Sequence, residues 1–509
     1  MLHDVSPWPS SSPAGPSPID RAEIGSKIHA LSDRAGTPLF VGISAGNTND
    51  AEALEPASDP RDPVATWPAP PEARETARDT AAIVTGGDTL IAGLPMADYG
   101  PRRNTRTRSD GVQVLLSASG TRGDIEPALG LALRLQELGA HVRVCAPPNF
   151  EGRLTELGVP LVPLGPPIPG SDGAKASMAE LLDYVDQWPA VQFDTIPTAA
   201  ARCDAVIATG ITEIAARSAA EKLGIHYQYA SYQPTSLPSL HHPPMPRIPG
   251  ERPAPAGIGN QLLWEIDAEG WNAQFGEALD TRRAALGLPP VGNVRDHVVT
   301  DRPWLAADPV LGPWPESPGL DVVQTGAWIV PDERPLPAEL EAFLDAGTPP
   351  VYIGFGSMQV RNGIARLAIE AVRAHNRRVL LSRGWAELSL IDDLSDCMAV
   401  GEVNHQALFP RVAAVIHHGG AGTTTTAARA GVPQVVVPQM TDQAYWARRV
   451  ADLGIGTACE DADPDPASLS AALDTALTST TRARASAVAG TIRADGATVA
   501  AKLLIDAIR

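Results

Sequence analysis

A chain of 509 residues with 40 Lys and Arg against 59 Asp and Glu carries a formal net charge of -19, which removes the basic surface that nucleic acids and anionic membranes need, so an anionic ligand requires a local positive site. The length exceeds what one hydrophobic core serves, so two or more domains are expected. Four cysteines at 145, 203, 397 and 459, with no Cys-x-x-Cys pair, point away from a zinc knuckle or a disulfide framework and towards reduced thiols.

The first thirty residues hold Pro7, Pro9, Pro13, Pro16 and Pro18 but no basic start followed by an apolar run, so no secretory signal is read there. Nowhere do about eighteen apolar residues run together, as a membrane-spanning helix would need. A soluble, cytoplasmic protein is expected. Residues 1–110 are dominated by Pro, Ser, Ala, Asp and Arg, and 56–71 has no sustained apolar period, so a largely disordered extension is predicted. Within it, 24–31 suggests a local helix and 37–43 a strand.

From Val112 the pattern turns to short apolar runs alternating with amphipathic stretches, the mark of βαβ units around a parallel sheet. A strand over 112–117, a loop over 120–126, a helix over 127–138 stopped by Gly139 and a strand over 141–146 open the first doubly wound domain, 111–312. It continues through 153–157, 161–164, 205–208, 212–223 and 227–230. The Pro- and His-dense stretch 233–255 reads as a functional loop over a substrate cleft, and 262–286 as helix. A Pro-rich linker is predicted over 313–337. The alternation then restarts: strands over 351–355, 378–381, 398–400, 414–417 and 434–437, with helices over 365–374, 406–409, 424–430, 443–453, 466–477 and 481–508. This second doubly wound domain, 338–509, faces the first across a crevice between the carboxyl ends of both sheets, where such folds bind ligands.

The most specific run is Val415 to Thr426, a strand ending in His417 and His418, a turn of Gly419 and Gly420, and a helix start of Ala421, Gly422 and Thr423. Each part suits a diphosphate: glycines admit close backbone approach, free helix N–H groups meet phosphate oxygens, and the dipole adds about half a positive charge. His417 or His418 adds a side-chain donor and Thr423 a hydroxyl. After the next strand, Asp442 and Gln443 offer an acceptor and an amide to sugar hydroxyls, with helix capping as the structural alternative.

These residues, with Gly431-Val-Pro-Gln434, Pro438 and Thr441, resemble the donor-site signature of the GT-B glycosyltransferases that include UDP-glucuronosyl, sterol and antibiotic glycosyltransferases. The segments Gly120 to Pro127, Ala146 to Pro148, Gln324 to Trp328, Gly354 to Ser357 and Ser382 to Trp385 resemble, in the same order, bacterial enzymes that glycosylate glycopeptide-antibiotic aglycones and mycobacterial glycopeptidolipids. The resemblance covers about 111–509. It implies an acceptor-binding first domain and a donor-binding second one, with Ser357 on a phosphate, Val403 on the base and Arg383 in the donor site. Plant members carry Trp where this chain has Val403 and Gly420. Gly123, His241 and His242 are acceptor-side candidates, the two histidines reading more readily as polar loop residues.

The resemblance makes Asp124 the general base that an acceptor hydroxyl of very high pKa needs. Pro127 favours a first helical position and biases Glu126 away from helix, so Glu126 is expected to cap and Asp124 to lie in the loop facing the cleft. Arg122 reads as structural or solvated. The resemblance implies that no metal is used, and the Asp461-Ala-Asp463 run is read as surface loop. The reading is thus an inverting, metal-independent hexosyltransferase, acting as a monomer on a UDP- or dTDP-sugar and a small-molecule, lipid or peptide acceptor, with no nucleic-acid partner. A sterol or glycopeptidolipid-type transferase, an idle nucleotide-sugar-binding helper and a nucleotide-sugar 2-epimerase stand as alternatives.

Overall fold

The computed structural model describes residues 26–32, 38–45, 111–169, 177–210, 212–245, 257–358, 360, 363–439 and 442–509. Residues 1–97 and 98–509 form two separate units. In the first, β1 (Ser26–Ser32) pairs antiparallel with β2 (Pro38–Ala45). Within the stretch read as a helix over 24–31, the described residues 26–31 are therefore strand, with Ile28 paired to Ile43 and Leu31 to Phe40. The rest of the expected disordered extension lies outside the described residues.

The second unit contains two parallel sheets. The first is built from β3 (Gln113–Ala118), β4 (His141–Ala146), β5 (Leu161–Pro163), β6 (Ala205–Thr209), β7 (His226–Ser231), β8 (Trp304–Leu305) and β9 (Val323–Gln324), in the order β5-β4-β3-β6-β7-β8-β9. The second holds β10 (Val351–Gly354), β11 (Val379–Ser382), β12 (Cys397–Val400), β13 (Ala414–His417), β14 (Gln434–Val436) and β15 (Gly456–Ala458), ordered β12-β11-β10-β13-β14-β15. Each sheet has helices on both faces, so its central strands are continuously buried: every residue of β6, β10 and β13 is inaccessible. That is why unbroken apolar runs, rather than alternating ones, mark them in the sequence.

Two differences from the expected boundaries have physical causes. The stretch read as a linker over 313–337 contains β9, which hydrogen-bonds to β8, and buries Trp328 and Val330 in the first domain. Its prolines all lie outside β9, so no ladder N–H is lost. The helix read over 481–508 is two, Ser479–Ala489 and Gly496–Ile508. The second leaves its own domain and lays Ala497, Ala500, Ala501, Leu504 and Ile505 into the cluster that holds Leu129 and Leu131. Gly496 makes the crossing possible, since a Cβ there would sit 2.4 Å from the carbonyl of Gly326. The long helix Met178–Ala200, interrupted in sequence by Pro189 and Pro197, escapes the pattern reading.

Candidate active site

On the first domain's wall, β3 runs through Ser119 and Gly120 into the helix Arg122–Glu137. Asp124 is the third residue of that helix rather than a loop residue, Thr121 occupies the cap instead of Glu126, and Pro127 lies inside. The Pro signal loses because the Thr121 N–H donates to Asp124 Oδ2 at 2.8 Å, closing the helix start one turn earlier. Having no N–H, Pro127 leaves the Gly123 carbonyl without its intrahelical donor. Gly120, at φ 120°, allows this packing, because a Cβ there would stand 2.2 Å from Asp124 Oδ2. The Tyr232 hydroxyl donates to the Asp124 carbonyl at 3.0 Å.

Burial raises the Asp124 carboxyl to about 7, the Thr121 backbone bond opposing this and Asp442 adding to it by charge repulsion. Asp442 belongs to the second domain, so the fold brings these two carboxylates to one place. Arg122 bridges the same cleft by an ion pair with Glu402 and approaches Glu126 at 3.7 Å, a structural part rather than a catalytic one. A buried carboxylate that sequence reading missed, Glu213, stands behind Asp124, hydrogen-bonded to Ser117 and Ser119. Its one visible signal is position, just after β6 at the carboxyl end of the sheet.

On the opposite wall, β13 ends at His417, and Gly420 caps the helix Ala421–Arg429. The N–H groups of Ala421, Gly422 and Thr423 precede the first intrahelical bond, Thr424 N to Gly420 O, and are available to an anion. Thr424, Thr425 and Thr426 spend their hydroxyls on carbonyls four residues back. The expectation that His417 offers its ring to a phosphate meets a different geometry. His417 is fully buried, its Nδ1 accepts the Gly419 N–H at 3.0 Å, and its Nε2 lies 2.9 Å from Gln434 Oε1. Those partners fix the tautomer with the proton on Nε2. Burial holds the ring neutral, down to about 3, so His417 shapes the glycine turn.

His418 is the ring at the turn itself. A Cβ on Gly356 would meet its Cε1 at 3.1 Å and one on Gly420 its Nε2 at 2.5 Å. Its Nδ1 is buried without a hydrogen-bond partner among the described residues, and burial lowers the group to about 4. Gly419, at φ 92°, backs onto Val436.

Asp442 stands at the N-cap position of the helix Gln443–Asp452 without a side-chain cap bond, its Oδ2 accepting the Trp446 indole N–H at 2.7 Å. The Gln443 amide, expected to face sugar hydroxyls, is buried. Its Oε1 accepts the Gln439 N–H at 2.8 Å and its Nε2 lies 3.5 Å from Met358 Sδ, so it anchors the turn after β14. Thr441 lies outside the described residues. Ser357, half-buried, follows β10; Arg383, exposed, follows β11; Val403, half-buried, follows β12. All three stand at carboxyl ends of the second sheet, the side on which His418 lies.

The two loop histidines do other work. His241 contacts the Glu316 carbonyl at 3.1 Å, and His242 lies edge-on to Trp264 and Trp314, so they fasten the loop to its own domain. That loop does roof a cavity of about 630 Å³, lined by Leu240, Trp264, Arg295 and Leu320, which contains none of the candidate site residues. Asp461 and Asp463 are exposed. Among the described residues no cluster of three or more His, Cys, Asp or Glu could hold a metal, and no helix is long and apolar enough to cross a membrane.

Residues 114–233 match the family 28 glycosyltransferase N-terminal domain, and 369–502 match the C-terminal domain of erythromycin biosynthesis protein CIII-like proteins. The chain is 54% identical over 402 residues to glycosyltransferase GtfE of Amycolatopsis orientalis, covering 78% of this chain and 98% of that one. The chain belongs to the GT-B glycosyltransferases. It is also 54% identical over 401 residues, with the same shares covered, to the vancomycin aglycone glucosyltransferase of Amycolatopsis orientalis. The more distant sterol 3-beta-glucosyltransferase UGT80A2 of Arabidopsis thaliana is 29% identical, over 68% of this chain and 57% of that one. In fold, this glycosyltransferase matches the crystal structure of the kitacinnamycin glycotransferase with a TM-score of 0.60 at 20% identity, over 78% of this chain and 99% of that one. It is a glycosyltransferase with two Rossmann-like domains.

Proposed function

We propose that this glycosyltransferase moves a hexose from a UDP- or dTDP-sugar to a hydroxyl of a glycopeptide-like or other small, partly apolar acceptor, with inversion at the anomeric carbon. The observation that carries the reading is a carboxylate raised to about 7 on one cleft wall, Asp124, facing a free helix N-terminus on the other. Asp124 takes the proton as the acceptor oxygen attacks the anomeric carbon. The bond to the diphosphate breaks on the opposite face, and the nucleotide leaves with the electron pair. A raised carboxyl is a stronger base for this purpose while still ionised near neutrality.

The charge developing on the leaving group is met by the N–H groups of Ala421, Gly422 and Thr423 and by the helix dipole, so the reaction needs no metal ion. His417 and Gln443 serve by holding those groups in place, and Ser357, Arg383 and Val403 contact the donor. Gly123, next to Asp124, lies on the acceptor side. The acceptor class is supported by the similarity to the vancomycin aglycone glucosyltransferase. A dTDP donor is supported by the dTDP-epi-vancosaminyltransferase of Amycolatopsis orientalis, 50% identical over 413 residues, 78% of this chain and 98% of that one. Four buried free cysteines suit a cytoplasmic enzyme.

The test is a matrix of UDP- and dTDP-hexoses against glycopeptide aglycones and sterols, read by mass spectrometry with the anomeric coupling of the product measured by NMR. A β-linked product from an α-linked donor on a glycopeptide aglycone is expected. Product on sterols alone, or retained configuration, contradicts the reading.

A further inference from the structure

Glu213 is a fully buried carboxylate that takes no part in the proton transfer or bond breaking above. It follows the strand β6 and stands at the N-cap of the helix Ile214–Leu223, where an acidic residue ordinarily caps. It does not cap. The buried Gln192 takes that duty, its Oε1 accepting the Ala215 N–H at 3.0 Å and its Nε2 donating to the Thr212 carbonyl at 2.8 Å. The Glu213 carboxyl is thereby turned to β3, where the Ser117 hydroxyl donates to Oε2 and the Ser119 hydroxyl to Oε1. Ser119 directly precedes Gly120, the glycine against which Asp124 Oδ2 is packed.

On the far side of the same turn the Tyr232 hydroxyl donates to the Asp124 carbonyl at 3.0 Å, while the Thr209 hydroxyl donates to the Ser117 carbonyl at 3.3 Å. Glu213 is thus tied to the Ser117–Ser119 end of the turn that carries Asp124. We propose that Glu213 is a positioning residue for sugar transfer, whose carboxyl clamps the Ser117–Ser119 end of that turn and tunes the basicity of Asp124 by its negative charge. This rests on Asp124 being the base.

Asp124 raises Glu213 by charge repulsion, and repulsion between two carboxylates is mutual, which gives the sign of the effect. Glu213 is faced by Ser117 and Ser119 from β3, Asp124 from the first helix, Cys145 from β4, Tyr184 from the helix Met178–Ala200, and Tyr227 and Tyr232 from β7 and its end. Asp124 is faced by Glu213, Tyr232 and, from the second domain, Asp442. Burial brings Glu213, like Asp124, to about 7, against the pull of the two serine hydroxyls. A negative charge on either makes ionisation of the other harder. Removing the Glu213 charge therefore lets Asp124 ionise at lower pH.

The experiment is the pH profile of kcat/KM for Glu213→Gln, which keeps the shape of the side chain and one acceptor, alongside Asp124→Asn. The midpoint of the acid limb is expected to move to lower pH by about half a pH unit or more, a roughly threefold or larger rise in the acid ionisation constant. The maximal rate is expected to fall because the turn is less well held. A rate loss with an unmoved midpoint in folded Glu213→Gln reduces Glu213 to a structural residue and overturns the proposal. Should Glu213→Gln fail to fold, Ser119→Ala decides. Losing that hydroxyl keeps Glu213 protonated to higher pH, so the limb moves the same way if the proposal holds and stays put if it does not. Full turnover in Asp124→Asn overturns the base assignment and this inference with it. Lost turnover there with an unmoved limb in the other variants overturns this inference alone.

Discussion

At the scale of single residues, the site divides side chains that can touch a ligand from side chains that hold them. His417 shows the distinction. Its residue type suits a phosphate and its motif position suggests one, yet both ring nitrogens are committed, to Gly419 and to Gln434. The sequence does not reveal this, because Gln434 lies seventeen residues away on the neighbouring strand. His418 carries the same chemistry one residue later with Nδ1 uncommitted among the described residues. Replacing His417 with Ala should strand the Gln434 amide oxygen in the core and lower stability by roughly 1–3 kcal/mol, visible as a lower denaturant midpoint. Because the glycine turn also loosens, donor affinity measured by calorimetry should fall together with stability. A variant of native stability with weakened donor binding would instead make His417 a direct ligand.

At the scale of elements, the strand-to-helix turns at the carboxyl ends of the two sheets place the chemistry, and glycines decide how tightly they close. The strands are legible because a doubly covered parallel sheet writes itself as unbroken apolar runs. The helix starts are not. Pro127 points to a later start than the one Thr121 and Asp124 build, and Pro189 and Pro197 hide a helix that tertiary packing sustains. Gly120 and Gly139 offer a matched test of the Asp124 turn. Both have positive φ, 120° and 85°, so a Cβ strains both. Only at Gly120 would the Cβ collide with the Asp124 carboxylate, since at Gly139 nothing lies within 4 Å. Both Gly→Ala variants should lose about 1 kcal/mol or more, but only Gly120→Ala should lose kcat. Equal kcat in the two folded variants would separate the turn from the chemistry.

At the scale of the whole molecule, the proposed reaction needs two domains because neither wall suffices: the proposed base, Asp124, stands on one and the free N-terminus of the helix Ala421–Arg429 on the other. The walls are joined outside the cleft. Arg449 donates to the carbonyls of Leu311 and Val310 at 2.9 and 3.0 Å, Trp446 packs on Gly312, and the helix Gly496–Ile508 returns to the first domain. Arg122 and Glu402 pair across the opening. The two-domain plan can be read from alternating runs, and the donor motif from its glycines and histidines. The returning helix and the Ser117–Glu213–Ser119 cluster cannot, because their partners are more than ninety residues apart in the chain.

The central claim, that Asp124 takes the acceptor proton across this cleft, is tested most directly by single-turnover glycosyl transfer in Asp124→Asn with donor saturating. The expected result is a rate lowered by roughly 10²–10⁴-fold, with donor affinity retained. In the parent enzyme the rate should climb as pH rises through about 7, where the carboxyl becomes ionised; in the variant that climb should vanish. A folded Asp124→Asn enzyme that transfers sugar at the parent rate, with the parent pH dependence, would contradict it.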